Sequence, residues 1–297
     1  MYTRESEGPI VVGIKWPKQL PALELITNVE TNATVDEGKQ LEQAPQSVLR
    51  VESPVLKINS PAIINALQRV VDYYPEQDFS GDSLSVSQPF ALLIHHQREL
   101  ASFRETYAPG KVRSENECCE REENTYEHLG VLQKLLQQRV GVSVEIEKLR
   151  HERGYATFEM LWMLFKPGIT VYSDTWSDGN YDAYVIHSVT GGAAESPTSP
   201  LQMRLWNLEF DGSLIGRCGM TRTQSPYNGE KRISELEVFP CEFWEDNPTE
   251  KYPNGLKESL IERGKVFLKL TSRRCMNYDG LTASAPRTHV CILSYDV

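Results

Sequence analysis

Six histidines and six cysteines are the raw material for nucleophilic or metal chemistry in this 297-residue chain. A catalytic Cys-His pair can be drawn from Cys218 or Cys241 with His187, but a chain with this many of each offers such pairs by chance. His95 and His96 are consecutive on a segment patterned as a helix. Their side chains therefore point about 100° apart and do not serve one site simply. The expectation is a structural pair, one partly buried and one exposed. Cys118, Cys119 and His128 could share a zinc ion only in an unusual geometry, without a fourth ligand at a standard spacing. Asp174, Asp178 and Asp182 flank a turn around Trp176, where a metal- or sugar-binding loop competes with the more ordinary solvated turn. Trp162 and Trp206 have apolar neighbours on their faces and read as core residues before they read as ligand platforms. No G-x-x-x-x-G-K-[ST] loop occurs: Gly264-Lys265 lacks both the upstream glycine and the following hydroxyl, and Gly191-Gly192 stands outside any G-x-G-x-x-G pattern. The expected site therefore has no catalytic, cofactor-binding or metal residues that can be named.

Composition narrows the class. Forty per cent hydrophobic and 24% charged residues suit a globular chain with a sizeable core. A formal charge of −10 argues against a general nucleic-acid binder, which needs clustered Lys and Arg. No apolar run approaches the roughly 20 residues that span a bilayer. The start, MYTRESEGPI, lacks the apolar core of a signal peptide. These features predict an intracellular protein, in cytoplasm or nucleus, with free thiols and no membrane contact.

The elements that must position any site divide near Phe158–Gly168, the run FEMLWMLFKPG. Residues 1–47 are polar and proline-punctuated and read as a flexible arm. VLRVESPVLKI (48–58) reads as an edge strand containing Pro54. Ser60 and Pro61 then open a helix whose apolar stripe is Ile63, Ile64, Leu67, Val70, Val71 and Tyr74, ended by Pro75. A second helix is expected from Ser87, carrying Phe90, Leu93, Ile94, Leu100 and Phe103 inward. The acidic run around 108–124 reads as a solvated loop. A third helix carries Tyr126, Leu129, Leu132, Leu135, Leu136 and Val140, and a shorter polar one runs from about Val144 to Arg153 and is stopped by Gly154. FEMLWML itself reads as a short helix capped by Thr157 and stopped by Lys166-Pro167-Gly168.

Beyond Gly168 the period changes to two. Strands are expected at 168–173 and 181–189. LQMRLWNLEF and SLIGRCGM form a hairpin around Asp211-Gly212, with Trp206, Leu208 and Phe210 inward. A later helix has the stripe Leu256, Leu260, Ile261, Phe267 and Leu268, with Gly264 as a close approach or a break. VCIL (290–293) looks like a strand with too little chain after it.

Taken in order, INSPAIINALQRVVDYYP, LWMLFKPG, WNLEFDGSLIGR, NGEKRISELEVFP and LKESLIERGKVFLKL resemble an uncharacterised domain of fungal proteins found upstream of AAA-type ATPase modules. The resemblance spans roughly residues 48 to 290. That family's ATP hydrolysis belongs to the downstream module, so no catalytic residue carries over. The resemblance implies a non-catalytic accessory module that binds a protein partner or substrate. A truncated ATP-hydrolysing protein and an independent small-molecule or glycan binder are the alternatives.

The expected fold is α+β: a helical half over about 55–165 packed on a β-rich roll or partly open barrel over about 166–290, with one inserted helix. Residues 48–290 are expected to form a single domain, between the 1–47 arm and a truncated-looking tail at 291–297.

Overall fold

Ser60 shows how locally the first helix is determined. Its Oγ accepts the backbone N–H of Ile63 at 3.3 Å, and Pro61 follows at the first helical position. Helix α1 (Pro61–Val70) buries Ala62, Ile63, Ile64, Ala66 and Leu67. It stops at Val70, well before Pro75, and Val71 leaves it with extended backbone. The computed structural model describes residues 21–31, 48–109, 124–174, 179–193, 198–245, 251–271, 281–282 and 285–289. The central part of the acidic run, Cys118, Cys119, Trp176, Asp178 and the VCIL stretch lie outside these.

The stretch expected to be an arm contributes strands. Strand β1 (Leu23–Ile26) pairs antiparallel with β4 (Val55–Ile58), and β2 (Val29–Thr31) with β3 (Val48–Val51). Pro54 separates β3 from β4, and β4 is the centre of a three-stranded sheet rather than an edge, because β5 (Leu84–Ser87) covers its other side. The expected start of the second helix is thus the end of a strand. Two helices follow, α2 (Ala91–His95) and α3 (Gln97–Thr106), interrupted at His96. Helix α4 (Thr125–Leu136) runs through a π turn at Gln137–Gly141 into α5 (Val142–Glu152), where a break between two helices was expected. One apolar core joins this small sheet to α1–α4, so the first half is mixed rather than helical.

The second core lies under a five-stranded antiparallel sheet of order β10-β9-β8-β7-β12. Its strands are β7 (Thr170–Asp174), β8 (Tyr181–Gly191), β9 (Leu201–Phe210), β10 (Ile215–Gln224) and β12 (Val238–Pro240). The sheet is open, with β10 and β12 as edges, and the described residues close no barrel. A small ladder joins β6 (Tyr155–Thr157) to β11 (Glu230–Arg232). With helices and several antiparallel sheets in one chain, the class is α+β.

Phe158–Leu164 forms a 3₁₀ helix rather than an α-helix, and it divides its side chains between the cores. Phe158, Leu161 and Leu164 join the sheet core, while Trp162 joins the helical one with Met160 and Met163 against it. Three residues per turn suits this division, since i and i+3 eclipse and Phe158, Leu161 and Leu164 form one row.

Helix α6 (Leu256–Leu270) departs from its expected stripe. Leu256 is buried and Leu260 partly so, but Ile261 and Leu268 are 47% and 56% exposed. Gly264 neither breaks the helix nor meets a close neighbour. A short ladder of β13 (Leu281–Thr282) and β14 (Ala285–His289) completes the described elements. Among the described residues no helix is long and apolar enough to cross a membrane.

Candidate functional site

Polar side chains meet where the two cores face each other. Tyr73, in the extended segment after α1, accepts the indole N–H of Trp206 at 3.2 Å and lies 3.1 Å from His187 Nδ1. With its oxygen accepting from Trp206, the Tyr73 hydroxyl either donates to His187 Nδ1 or accepts from it, according to the imidazole tautomer. Gly168 permits this approach: its φ is +93°, and a Cβ there would stand 3.2 Å from the Tyr73 ring. Lys166 pairs with Glu99 at 2.7 Å and Arg204 with Glu76 at 3.5 Å, both between the halves and both partly exposed. Such pairs contribute at most about 1 kcal/mol each.

His187 owes its position to an irregularity that sequence pattern does not announce. Between Ile186 and Ser188 the β8–β9 register shifts, so His187 is the extra residue of a bulge. A bulge re-aims side chains. Here it places His187 at Tyr73 and leaves Ser188 buried.

Between the halves is a cleft of about 100 Å³, walled by Trp162, Phe165, Pro89 and Leu201 with His95 and Ser188. The ring of His95 packs near Tyr74 and Trp162, and its Nε2 donates to the Trp162 carbonyl at 3.1 Å. Because a carbonyl only accepts, Nε2 carries the proton and Nδ1 presents a lone pair. That Nδ1 and the Ser188 Oγ are buried without a hydrogen-bond partner among the described residues. His95 is partly buried and His96 buried, so neither of the pair is exposed, where one was expected to be; the His96 Nδ1 donates to the Leu92 carbonyl at 2.9 Å. The break between α2 and α3 turns it inward.

Desolvation lowers the His95 pKa to about 4, and burial also lowers those of His96 and His128. Their folded pKa values lie below the unfolded ones, so the unfolded chain binds more protons as acid is added. Stability is expected to be complete above about pH 6.5 and to fall as pH drops towards 4. His95 alone should contribute a loss on the order of 2 kcal/mol at pH 5. Urea titrations at pH 7 and pH 5 measure this, and His95→Leu should flatten the difference.

A Ser188–His95 dyad is not assembled. No hydrogen bond links them, and so weak a base is poorly matched to proton abstraction near neutrality. The Cys-His pairing fails similarly. His187 faces Tyr73, while the exposed Cys218 lies on β10 with its thiol pushed up by Glu209. His128 Nδ1 lies 2.7 Å from the capping Ser60 Oγ, and no group of three metal-capable side chains occurs among the described residues. Asp174 accepts the Gly179 N–H at 2.8 Å, and Asp182 pairs with Arg263. Trp162 is core, as expected; Trp206 is partly buried at the seam.

The β9–β10 hairpin has the turn its sequence predicts, with Asp211 Oδ1 accepting the N–H groups of Ser213 and Leu214 at 2.8 Å each. Its apolar face is not the expected one. Leu201, Met203 and Leu205 point into the sheet core, which puts Trp206, Leu208 and Phe210 on the opposite side. Tyr73 covers Trp206, but Leu208 is 52% exposed, and Ile215, opposite Phe210, is 42% exposed. Arg217 stands opposite Leu208, with its guanidinium 4.2 Å from the Trp206 ring centroid.

Fold and site together define an α+β protein with two cores, a polar seam and a projecting apolar-basic hairpin. Comparison with protein families matches residues 147–245 to a domain of unknown function, DUF7025. The match covers the 3₁₀ helix Phe158–Leu164, which lies at the seam, and the five-stranded sheet. Comparisons with curated proteins and with solved structures return no match.

Proposed function

We propose that the chain is a non-catalytic binding module that docks a partner protein on the outward face of the β9–β10 hairpin. The observation that carries this reading is the apolar row Leu208, Phe210 and Ile215, which runs past the cover of Tyr73 into solvent. In a chain of formal charge −10, the same face carries Arg204 and Arg217. A partner segment of apolar residues flanked by carboxylates complements it. The resemblance to a domain preceding AAA-type ATPase modules supports a partner that works with such a motor, as its substrate or as the motor itself.

A photo-crosslinking residue at position 208 or 215 tests the docking face. The protein captured there, once purified, should bind the wild-type chain and lose at least tenfold in affinity to Leu208→Asp with the fold intact. Arg217→Glu should weaken the complex and reduce its salt dependence. Equal capture from an exposed control position on α5, such as 145, or unchanged binding by both variants, would refute the proposal.

A further inference from the structure

We infer that the partner segment docks as an added strand, extended along the open edge of β10 and carrying a carboxylate; this rests on the docking reading of the same hairpin. The two edges of the five-stranded sheet differ in kind. Strand β12 is three residues long, buried throughout and closed by Pro240, which has no N–H to offer. Strand β10 runs ten residues in unbroken register with β9 and contains no proline. Its other side pairs with no strand among the described residues.

The turn decides which backbone groups of β10 face outward. The Asp211 N–H bonds to the Leu214 carbonyl at 3.2 Å, so these two form a hydrogen-bonded pair. Such pairs alternate along an antiparallel ladder, so the even-numbered residues of β10 point their N–H and C=O groups at β9. Ile215, Arg217, Gly219, Thr221 and Thr223 point theirs away from the sheet, and none of these five N–H groups bonds to a described residue. Strand addition uses an alternate set of this kind. The same residues stand opposite Phe210, Leu208, Trp206, Arg204 and Gln202, so their side chains share the hairpin's outward face.

Charge and a gap describe the occupant. Strand β10 has two arginines and no Asp or Glu, in a chain of formal charge −10. A second copy paired along this edge would bring the arginines of both strands together without a carboxylate, whereas a carboxylate across from Arg217 complements it. Gly219 puts no side chain on the face, and a Cβ there would meet only the Leu205 carbonyl oxygen, at 3.9 Å. A bulky apolar side chain of the added strand can cross Gly219 to reach Trp206, its neighbour across the ladder.

Amide hydrogen exchange, followed by NMR on the full chain, tests this with the end-capped heptapeptide Thr-Val-Phe-Thr-Glu-Thr-Val as the probe. Without peptide, the amides of Arg217, Gly219 and Thr221 are expected to exchange at least tenfold faster than those of Cys218 and Met220. Peptide at five times its dissociation constant should slow the first three about sixfold. A lysine in place of the peptide's glutamate should weaken binding at least fivefold, and N-methylation of its Phe and Glu amides should abolish it. The inference is overturned if the three amides are already slow without peptide, or if millimolar peptide leaves them unmoved. It is equally overturned if the lysine or N-methylated peptide binds as well as the parent. Leu208→Asp separates the two readings. If this variant loses the peptide while the wild type still binds the N-methylated form, the docking face stands and the strand falls. Amide protection that is undiminished in Leu208→Asp overturns the face reading alone.

Discussion

Glu147→Ala is expected to lower the unfolding free energy by about 3–5 kcal/mol, the range for removing one partner from a buried charged network. The carboxylate is fully buried, and four groups surround it. Thr157 gives its backbone N–H at 2.8 Å and its hydroxyl at 3.1 Å, Arg150 pairs with it, and His151 Nε2 lies 3.4 Å away. Burial pushes this carboxyl up, but the nearby His151 imidazole and the bonds from the Thr157 N–H and Arg150 outweigh it and hold the pKa below the usual range. With the folded pKa depressed, its stabilisation is present above the unfolded carboxyl value and is lost as pH falls through the folded one. Glu147→Gln retains acceptors for Thr157 and should cost less than Ala. Urea unfolding at pH 7 separates these variants. An Ala loss under about 1 kcal/mol would place the carboxylate among solvated surface groups instead.

Trp162→Ala is expected to cost about 3–5 kcal/mol, through lost burial and the cavity left behind. Its consequence reaches beyond one core. Trp162 sits in the helical core, and Leu161 beside it sits in the sheet core. We therefore expect the variant to unfold in one transition, with far-UV and tyrosine signals coincident and shifted together. Two separated transitions, with only the first moved, would show that the halves unfold independently.

The same network explains why Thr157 misled as a cap. It occupies the capping position of the seam helix, but its hydroxyl is donated to Glu147, and no side-chain capping bond forms. The signal at Ser60 was readable because its partner lies three residues away. The signal at Thr157 was not, because its partner is on α5.

Local chemistry written within a few residues was legible in the sequence: the Ser60-Pro61 helix start, the end of α5 before Gly154 (φ +79°), and the Asp211-Gly212 hairpin. So was the mixed class, from the change of period after Gly168. Strand β9 shows where that legibility ends. It carries two apolar alternations, Leu201-Met203-Leu205 and Trp206-Leu208-Phe210, in opposite phase. Either could face inward when read alone. The sheet core covers the first, and the helical half covers only the start of the second, through Tyr73.

The seam site lay further out of reach. Its residues, His95, Trp162, His187 and Ser188, come from three elements far apart in the chain, and the strand that carries the last two is irregular at a bulge that leaves no mark in the pattern. Propensity, capping and turn chemistry act between near neighbours, so the sequence by itself determined the elements and their local ends. Which face each element buries, and which polar atoms are left without partners, depends on contacts between residues far apart in the chain. Only the packing of the two cores against each other decided that.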